Sequence, residues 1–227
     1  MIDRDRLTLH EEILLLALRD EEGTIASGTN YSYALGGAIL AELILRERIA
    51  VEDSGRKKLA VVSDATPLGA PLLDECLEKI AAASKPKALD AWITKFAGLK
   101  QLKHRVAQRL VDRDVLREDE GRVLLVFSRK IYPESDPRPE RELTERLRRA
   151  MFGYDTEVDP RTVVLLSLAN SAGLLRQAFD RKELKRCKAR IEQVVNGEAT
   201  GQAAKQAIEA MQAAVVVTAI IPAVITT

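Results

Sequence analysis

Histidine and cysteine are almost missing from this chain of 227 residues, which has two of each: His10, His104, Cys76 and Cys187. Neither cysteine stands in a metal-type spacing, and two isolated histidines give metal binding and catalysis little support. There is no GxxxxGK[ST] loop, no GxGxxG after a strand and no HExxH, so the common phosphate-cradling and metallohydrolase signatures are excluded. No cofactor or metal is implied. No signal peptide precedes "LTLHEEILLLAL", and with so little cysteine the expected setting is reduced and cytoplasmic. A long hydrophobic run is lacking too. The C-terminal "AAVVVTAIIPAVI" is too short to cross ~30 Å of hydrocarbon and is interrupted by Pro222, so it reads as a buried helix and tail.

What is present is enough apolar residue, 46%, to bury a real core, and one domain over residues 1–227 is expected. The net charge of +1 conceals an uneven distribution. Residues 1–94 hold 11 Lys/Arg against 16 Asp/Glu, residues 95–190 hold 23 against 15, and residues 191–227 hold 1 against 3. A basic middle in a near-neutral chain suggests an anionic partner.

The patterning is mostly helical. Thr8 and Glu11 form a capping box ahead of "LHEEILLLALRD", which Gly23 closes. "ALGGAILAELIL", residues 34–45, is apolar around most of its circumference and is expected to be the buried central helix, flanked by amphipathic ones. "RIAVED" and "KKLAVVSDA" flank a turn and read as a hairpin. Helices are expected at "PLLDECLEKIAAA", "KALDAWITKFAG" and residues 98–116. "VLREDEGRVLLVF" reads as a second hairpin with Gly121 at its turn, and "YPESDPRPERE" as a surface connection. Next come "RELTERLRRAMFG" and "DPRTVVLLSLANSAGLLRQAF", the latter capped by Asp159 with Pro160 at its first position. Asp180 and Glu183 cap "RKELKRCKARIEQVV", and a last helix is expected over "AAKQAIEAMQAAVVV". The fold class is mainly α, a single helical domain with two short β-hairpins.

Two local features invite a functional reading. The adjacent acids Glu11 with Glu12, and Asp74 with Glu75, fit solvated faces and caps better than an acid and base pair. In "LGGA", Gly36 and Gly37 fit close helix packing better than a phosphate loop.

The segment "GLKQLKHRVAQRLVDRDVL" raises a sharper question. At 100° per residue Leu99, Leu102, Val106, Ala107, Leu110 and Val111 share one arc, with Gln101, His104, Gln108 and Asp112 opposite. Lys100 and Lys103 project within the apolar arc. They either snorkel from the end of a core helix or face a pocket that receives an anion.

Taken in order, "LTLHEEILLLALRDEEG", "LGGAILAELILRERIAVE", "LLDECL", "KHRVAQRLVDRDVL" and "DPRTVVLLSLANSAGLL" resemble the Golgi phosphoprotein 3 family, from Leu7 to about Ala214. The resemblance implies a mainly helical domain with β-hairpins and no catalytic activity. It also implies a peripheral membrane protein that recognises phosphatidylinositol 4-phosphate and, in eukaryotic members, acts as an adaptor for the cytosolic tails of Golgi membrane proteins. In the resembled site a Trp and an Arg ahead of the central helix join two basic residues one turn apart. Here Gly36 stands at the Arg position and, in an ungapped alignment, Ser27 at the Trp position, so a cation and an aromatic platform are gone. Lys100 and Lys103 match the two basic positions, with Arg105 on another side of the helix as a weaker headgroup contact. The resembled hairpin, thought to touch membrane or a neighbouring subunit, corresponds to Val123, Leu124, Leu125 and Val126, which also fit an ordinary strand with one face in the core.

The expected partners are therefore an anionic phospholipid or phosphoinositide, membrane-protein tails and further copies of the chain, at a membrane surface. A basic helix followed by a hairpin is also the order of elements in a winged-helix nucleic-acid binder. The acidic "EDEG" at the expected wing tip argues against that reading, and against deep approach to anionic lipid. A scaffold that binds proteins without lipid is the third alternative.

Overall fold

The computed structural model describes residues 6–19, 21–55, 57–123, 127–153 and 157–196, with backbone alone at 122, 123 and 127–129. The expected last helix and the C-terminal apolar run lie outside the described residues. The architecture is mainly α. In chain order the elements are α1 (Leu9–Ala17), α2 (Tyr31–Leu45), β1 (Ile49–Ser54), β2 (Lys57–Val62), α3 (Pro71–Ala81), β3 (Lys87–Ala88), α4 (Leu89–Ala97) and α5 (Leu102–Val111). They continue with β4 (Asp119–Val123), β5 (Phe127–Ile131), α6 (Arg138–Phe152), α7 (Pro160–Ser171), α8 (Leu175–Ala178), α9 (Arg181–Arg186) and α10 (Lys188–Val195).

Helix starts follow local chemistry. In the capping box of α1 the Thr8 amide donates to Glu11 Oε2 at 2.8 Å, and Asp159 accepts from the Thr162 amide at the head of α7; each link satisfies an amide that helical geometry leaves unpaired. Asp180 and Glu183 form the same box on α9. Helix ends depart from expectation. α1 stops at Ala17, well before Gly23, because Leu18 is extended and bridges Ile25 across the turn that Gly23 completes. The expected helix from Asp159 to Phe179 breaks after Ser171, where Gly173 turns at φ 74°, and the next expected helix divides at Cys187 into α9 and α10.

α2 runs between α1, α4 and α7, and Ala34 through Leu43 are buried without interruption. Gly36 and Gly37 permit this approach. A Cβ on Gly36 would stand 2.6 Å from the Ile93 carbonyl oxygen, and one on Gly37 2.8 Å from Leu168 Cδ2. α1 is buried along its whole length, acids included, so it is not the amphipathic flank its sequence suggests. Glu11 serves as the cap, but Glu12 is not on a solvated face: it is 3% exposed and pairs with Arg146 at 2.8 Å and Arg161 at 3.7 Å. Arg161 also reaches Glu42 at 2.9 Å. Burial raises the Glu12 carboxyl above its ordinary pKa against the pull of Arg161 and Arg146. The second acid pair divides similarly, with Asp74 accepting from the Leu68 amide at 2.6 Å and Glu75 binding Arg105.

β1 and β2 pair antiparallel from Ile49 opposite Val62 to Ser54 opposite Lys57, and β3 joins β2. The second hairpin forms in a different register from the expected one. Gly121 lies inside β4 opposite Arg129, and the strands close at Val123 opposite Phe127. Glu118, Asp119 and Glu120 therefore stand at the open end of the hairpin, not at its turn, and the two objections built on an acidic tip fall away. The Pro-rich connection is only partly a surface one: Tyr132 and Pro133 are buried and α6 begins at Arg138.

Candidate functional site

α4 ends at Gly98, and the chain reverses through a turn in which Gln101 takes a left-handed backbone, φ 56° and ψ 28°. That turn cuts the helix expected over 98–116, so α5 starts only at Leu102. Leu102, Val106, Ala107 and Leu110 are buried, as the apolar arc requires, whereas Val111 is half-buried. The first turns of α5 and α2 line one pocket of about 340 Å³, with Tyr31, Ser32, Leu35, Gln101, Lys103 and His104 on its wall and Ala97, Leu99 and Leu102 completing it. Both helices bring the positive end of their backbone dipole to this place.

The candidate cations separate here. Lys103 lines the pocket, with Nζ 5.7 Å from the centre of the Tyr132 ring. Lys100 is exposed on the preceding turn and is not among the lining residues. Arg105 turns to α3 and meets Glu75 at 2.5 Å, with Lys79 on the other Glu75 oxygen at 3.3 Å. Gly36 is packed on α4 near Ala97, which leaves no room for a side chain. Ser27 is exposed on the turn before α2. Of the hairpin residues, Val123 ends β4, and Leu124, Leu125 and Val126 lie outside the described residues.

Two lining residues were not legible as site residues. Tyr31 supplies an aromatic ring at the pocket; the expected start of α2 left it outside the helix. His104, on the polar side by helical spacing, is half-buried, with Nδ1 2.9 Å from the Tyr132 hydroxyl. Tyr132 follows β5 and is 1% exposed. Burial, then the charge of Glu118, raises its pKa. Glu118 pairs with Lys130 at 2.8 Å. Burial, then Lys103 and Lys130, hold His104 below the ordinary imidazole value while Glu118 opposes them. The open end of the second hairpin is thus fastened to the first turn of α5.

Such an arrangement can hold an anion. Two helix N-termini, one lysine and an aromatic wall favour a phosphate more than a cation. Among the described residues no three His, Cys, Asp or Glu are grouped to hold a metal, and no helix is long and apolar enough to cross a membrane.

Comparison with known proteins bears on this pocket. The family model described as Golgi phosphoprotein 3 (GPP34) matches residues 9–211, a span that contains every lining residue. A curated relative, Vacuolar protein sorting-associated protein 74 of Eremothecium gossypii, is 32% identical over 206 residues, covering 76% of this chain and 61% of the relative. The chain therefore spans less than two thirds of that relative's length.

Proposed function

The chain belongs to the Golgi phosphoprotein 3 family, and from that premise we propose that it is a non-enzymatic peripheral membrane protein whose pocket between α2 and α5 receives an anionic lipid headgroup. The observation that carries the reading is the convergence of two helix N-termini with Lys103 and Tyr31 on one concave wall. Lys100, exposed one turn before, adds charge at the rim rather than inside.

By resemblance the headgroup is that of phosphatidylinositol 4-phosphate. Because Gly36 and Ser27 replace an Arg and a Trp, the preference is weaker and more generally anionic, with Tyr31 offering an aromatic face from the adjoining turn. The hairpin run at Val123, Leu124, Leu125 and Val126 is the proposed contact with membrane or with a second copy of the chain. The relative's name, which places that protein in vacuolar protein sorting, supports an adaptor role in which membrane-protein tails are the clients.

Flotation of the full chain with neutral vesicles, generally anionic vesicles and vesicles carrying phosphatidylinositol 4-phosphate tests this. Each basic residue near an anionic surface contributes ~1 kcal/mol, so Lys100→Glu with Lys103→Glu is expected to abolish flotation and leave the helical circular dichroism unchanged. Salt weakens binding, because screening shortens the field to ~8 Å near physiological strength. If the double variant floats as well as wild type at low salt, the lysines only snorkel and the headgroup reading fails. A salt-dependent gel shift on duplex DNA without flotation would transfer the reading to nucleic acid.

A further inference from the structure

His104 lines the pocket beside Lys103, and its ring is held at Nδ1 by the Tyr132 hydroxyl. Glu118, paired to Lys130 at 2.8 Å, raises the Tyr132 pKa through its charge. When the tyrosine oxygen accepts across the 2.9 Å contact, the imidazole proton sits on Nδ1. In the neutral ring Nε2 then carries a lone pair, and it has no hydrogen-bond partner among the described residues. A lone pair repels a phosphate oxygen, whereas an N–H attracts it. The imidazolium donates from both nitrogens at once, Nδ1 to the tyrosine oxygen and Nε2 to an anion.

We infer that His104 is a headgroup-contacting residue of this pocket and meets the phosphate as an imidazolium, so that anion binding takes up one proton. The inference rests on the headgroup reading above. It gives the pocket a second cation although Gly36 stands where the resembled site has an arginine. The charged groups facing the ring are Lys103 from α5, Lys130 from β5 and Glu118 ahead of β4. Burial, then Lys103 and Lys130, hold the unliganded ring below the ordinary imidazole value against the opposing pull of Glu118. A phosphate at hydrogen-bond distance tips that balance. Binding is then strongest in acid and weakens as the pH rises, by at most about tenfold per pH unit for one linked proton.

The test uses the full chain and vesicles of phosphatidylglycerol, whose phosphodiester keeps its charge from about pH 5.5 to about pH 8 while imidazole titrates. Wild type is expected to bind several-fold more weakly at the upper end. His104→Gln flattens the profile, and Tyr132→Phe shallows it, because an Nδ1 without the tyrosine oxygen lets the neutral ring carry its proton on Nε2. Imidazole NMR reads the same event directly, since His104 and His10 are the two histidines and His10 is buried away from the pocket as an internal reference. Vesicles should move the titration of His104 upward. The same shift with inorganic phosphate identifies the phosphate group alone as sufficient; a shift with vesicles alone identifies the assembled lipid surface. If vesicle binding depends on Lys103 but His104→Gln keeps the wild-type slope, His104 is not a contact and the headgroup reading stands. If no vesicle binds at any pH, that reading falls and this inference with it.

Discussion

The carbonyl oxygen of Ile93 on α4 occupies the space where a side chain at Gly36 would begin, 2.6 Å from an ideal Cβ. The Ala97 amide nitrogen stands 2.9 Å from the same point. Both obstacles are backbone inside a helix, so neither can swing aside as a flexible side chain would. The absence of an arginine at this position is therefore a packing requirement of α2 on α4.

Replacing Gly36 with alanine is expected to cost about 1–3 kcal/mol as overpacking, and with arginine more. Gly36→Arg should lower the denaturation midpoint and weaken vesicle binding, even though it adds the cation that the resembled site carries. A stable Gly36→Arg protein with tighter, phosphoinositide-selective binding would show that α4 yields and that the packing argument is wrong.

Glu42 carries the second prediction. It is 1% exposed, and its carboxylate meets the Leu9 amide at 2.8 Å, Arg46 at 2.7 Å and Arg161 at 2.9 Å. Burial pushes its pKa up, but Arg161, the Leu9 amide and Arg46 outweigh that and hold the group below its ordinary value. A depressed carboxylate pKa stabilises the fold above the unfolded-state value of about 4.3, and the contribution is lost as the pH falls through the folded value. Glu42→Gln leaves Arg46 without its counter-charge and Arg161 with Glu12 alone, and is expected to cost about 3–5 kcal/mol at neutral pH. In urea titrations the gap between variant and wild type should close below about pH 4. A gap that stays constant from neutral to acid pH would mean that the charge of Glu42 contributes nothing.

Much of this was legible where both partners of an interaction sit within one helical turn. Thr8 with Glu11, Asp159 with Pro160, and Asp180 with Glu183 announce helix starts because a cap reaches only three residues. Glu12 looks like a polar-face residue, since the arginines that meet it, Arg146 and Arg161, are far along the chain. The second hairpin misleads for a different reason. A glycine in a strand imitates a turn when no strong alternation contradicts it, and Gly121 has acids before it and an apolar run after it. In the pocket, Lys103 follows from helical spacing and family resemblance. Tyr31 does not, because Asn30 makes no side-chain cap to mark where α2 begins. His104 is placed by Tyr132, 28 residues away, which a helical wheel cannot represent.

The two thiols should differ in how slowly they react. Burial, then the neighbouring Glu75, pushes the Cys76 thiol up to about 12, and its side chain is fully enclosed in α3. Cys187 is also buried, at 4% exposure, but sits at the break between α9 and α10. A disulfide reagent near pH 8 is expected to spare both in the native chain at first, then to label Cys187 through local opening well before Cys76. Peptide mapping after timed quenching gives the order; Cys76 reacting first would mean that α3 opens before the α9 to α10 break.

The final prediction separates backbone strain from steric conflict at two glycines of one loop. Gly23 and Gly28 both have positive φ, 58° and 77°, so alanine at either forces a left-handed residue, at a cost of roughly 1–2 kcal/mol. Around Gly28 nothing lies within 4 Å of the added Cβ, and Gly28→Ala should show that cost alone. At Gly23 the Cβ would meet the Pro133 nitrogen at 2.3 Å and the Tyr132 carbonyl carbon at 2.4 Å, while the Gly23 carbonyl already accepts from the Tyr132 amide at 2.9 Å. Gly23→Ala must therefore displace the backbone that carries Tyr132, and with it the hydroxyl that orients His104. Urea denaturation should show a larger loss for Gly23→Ala than for Gly28→Ala. Imidazole NMR should show a changed His104 titration in Gly23→Ala and an unchanged one in Gly28→Ala. Equal losses with an unaltered His104 in both variants would mean that the loop relaxes without moving Tyr132, and that this loop does not position the wall of the pocket.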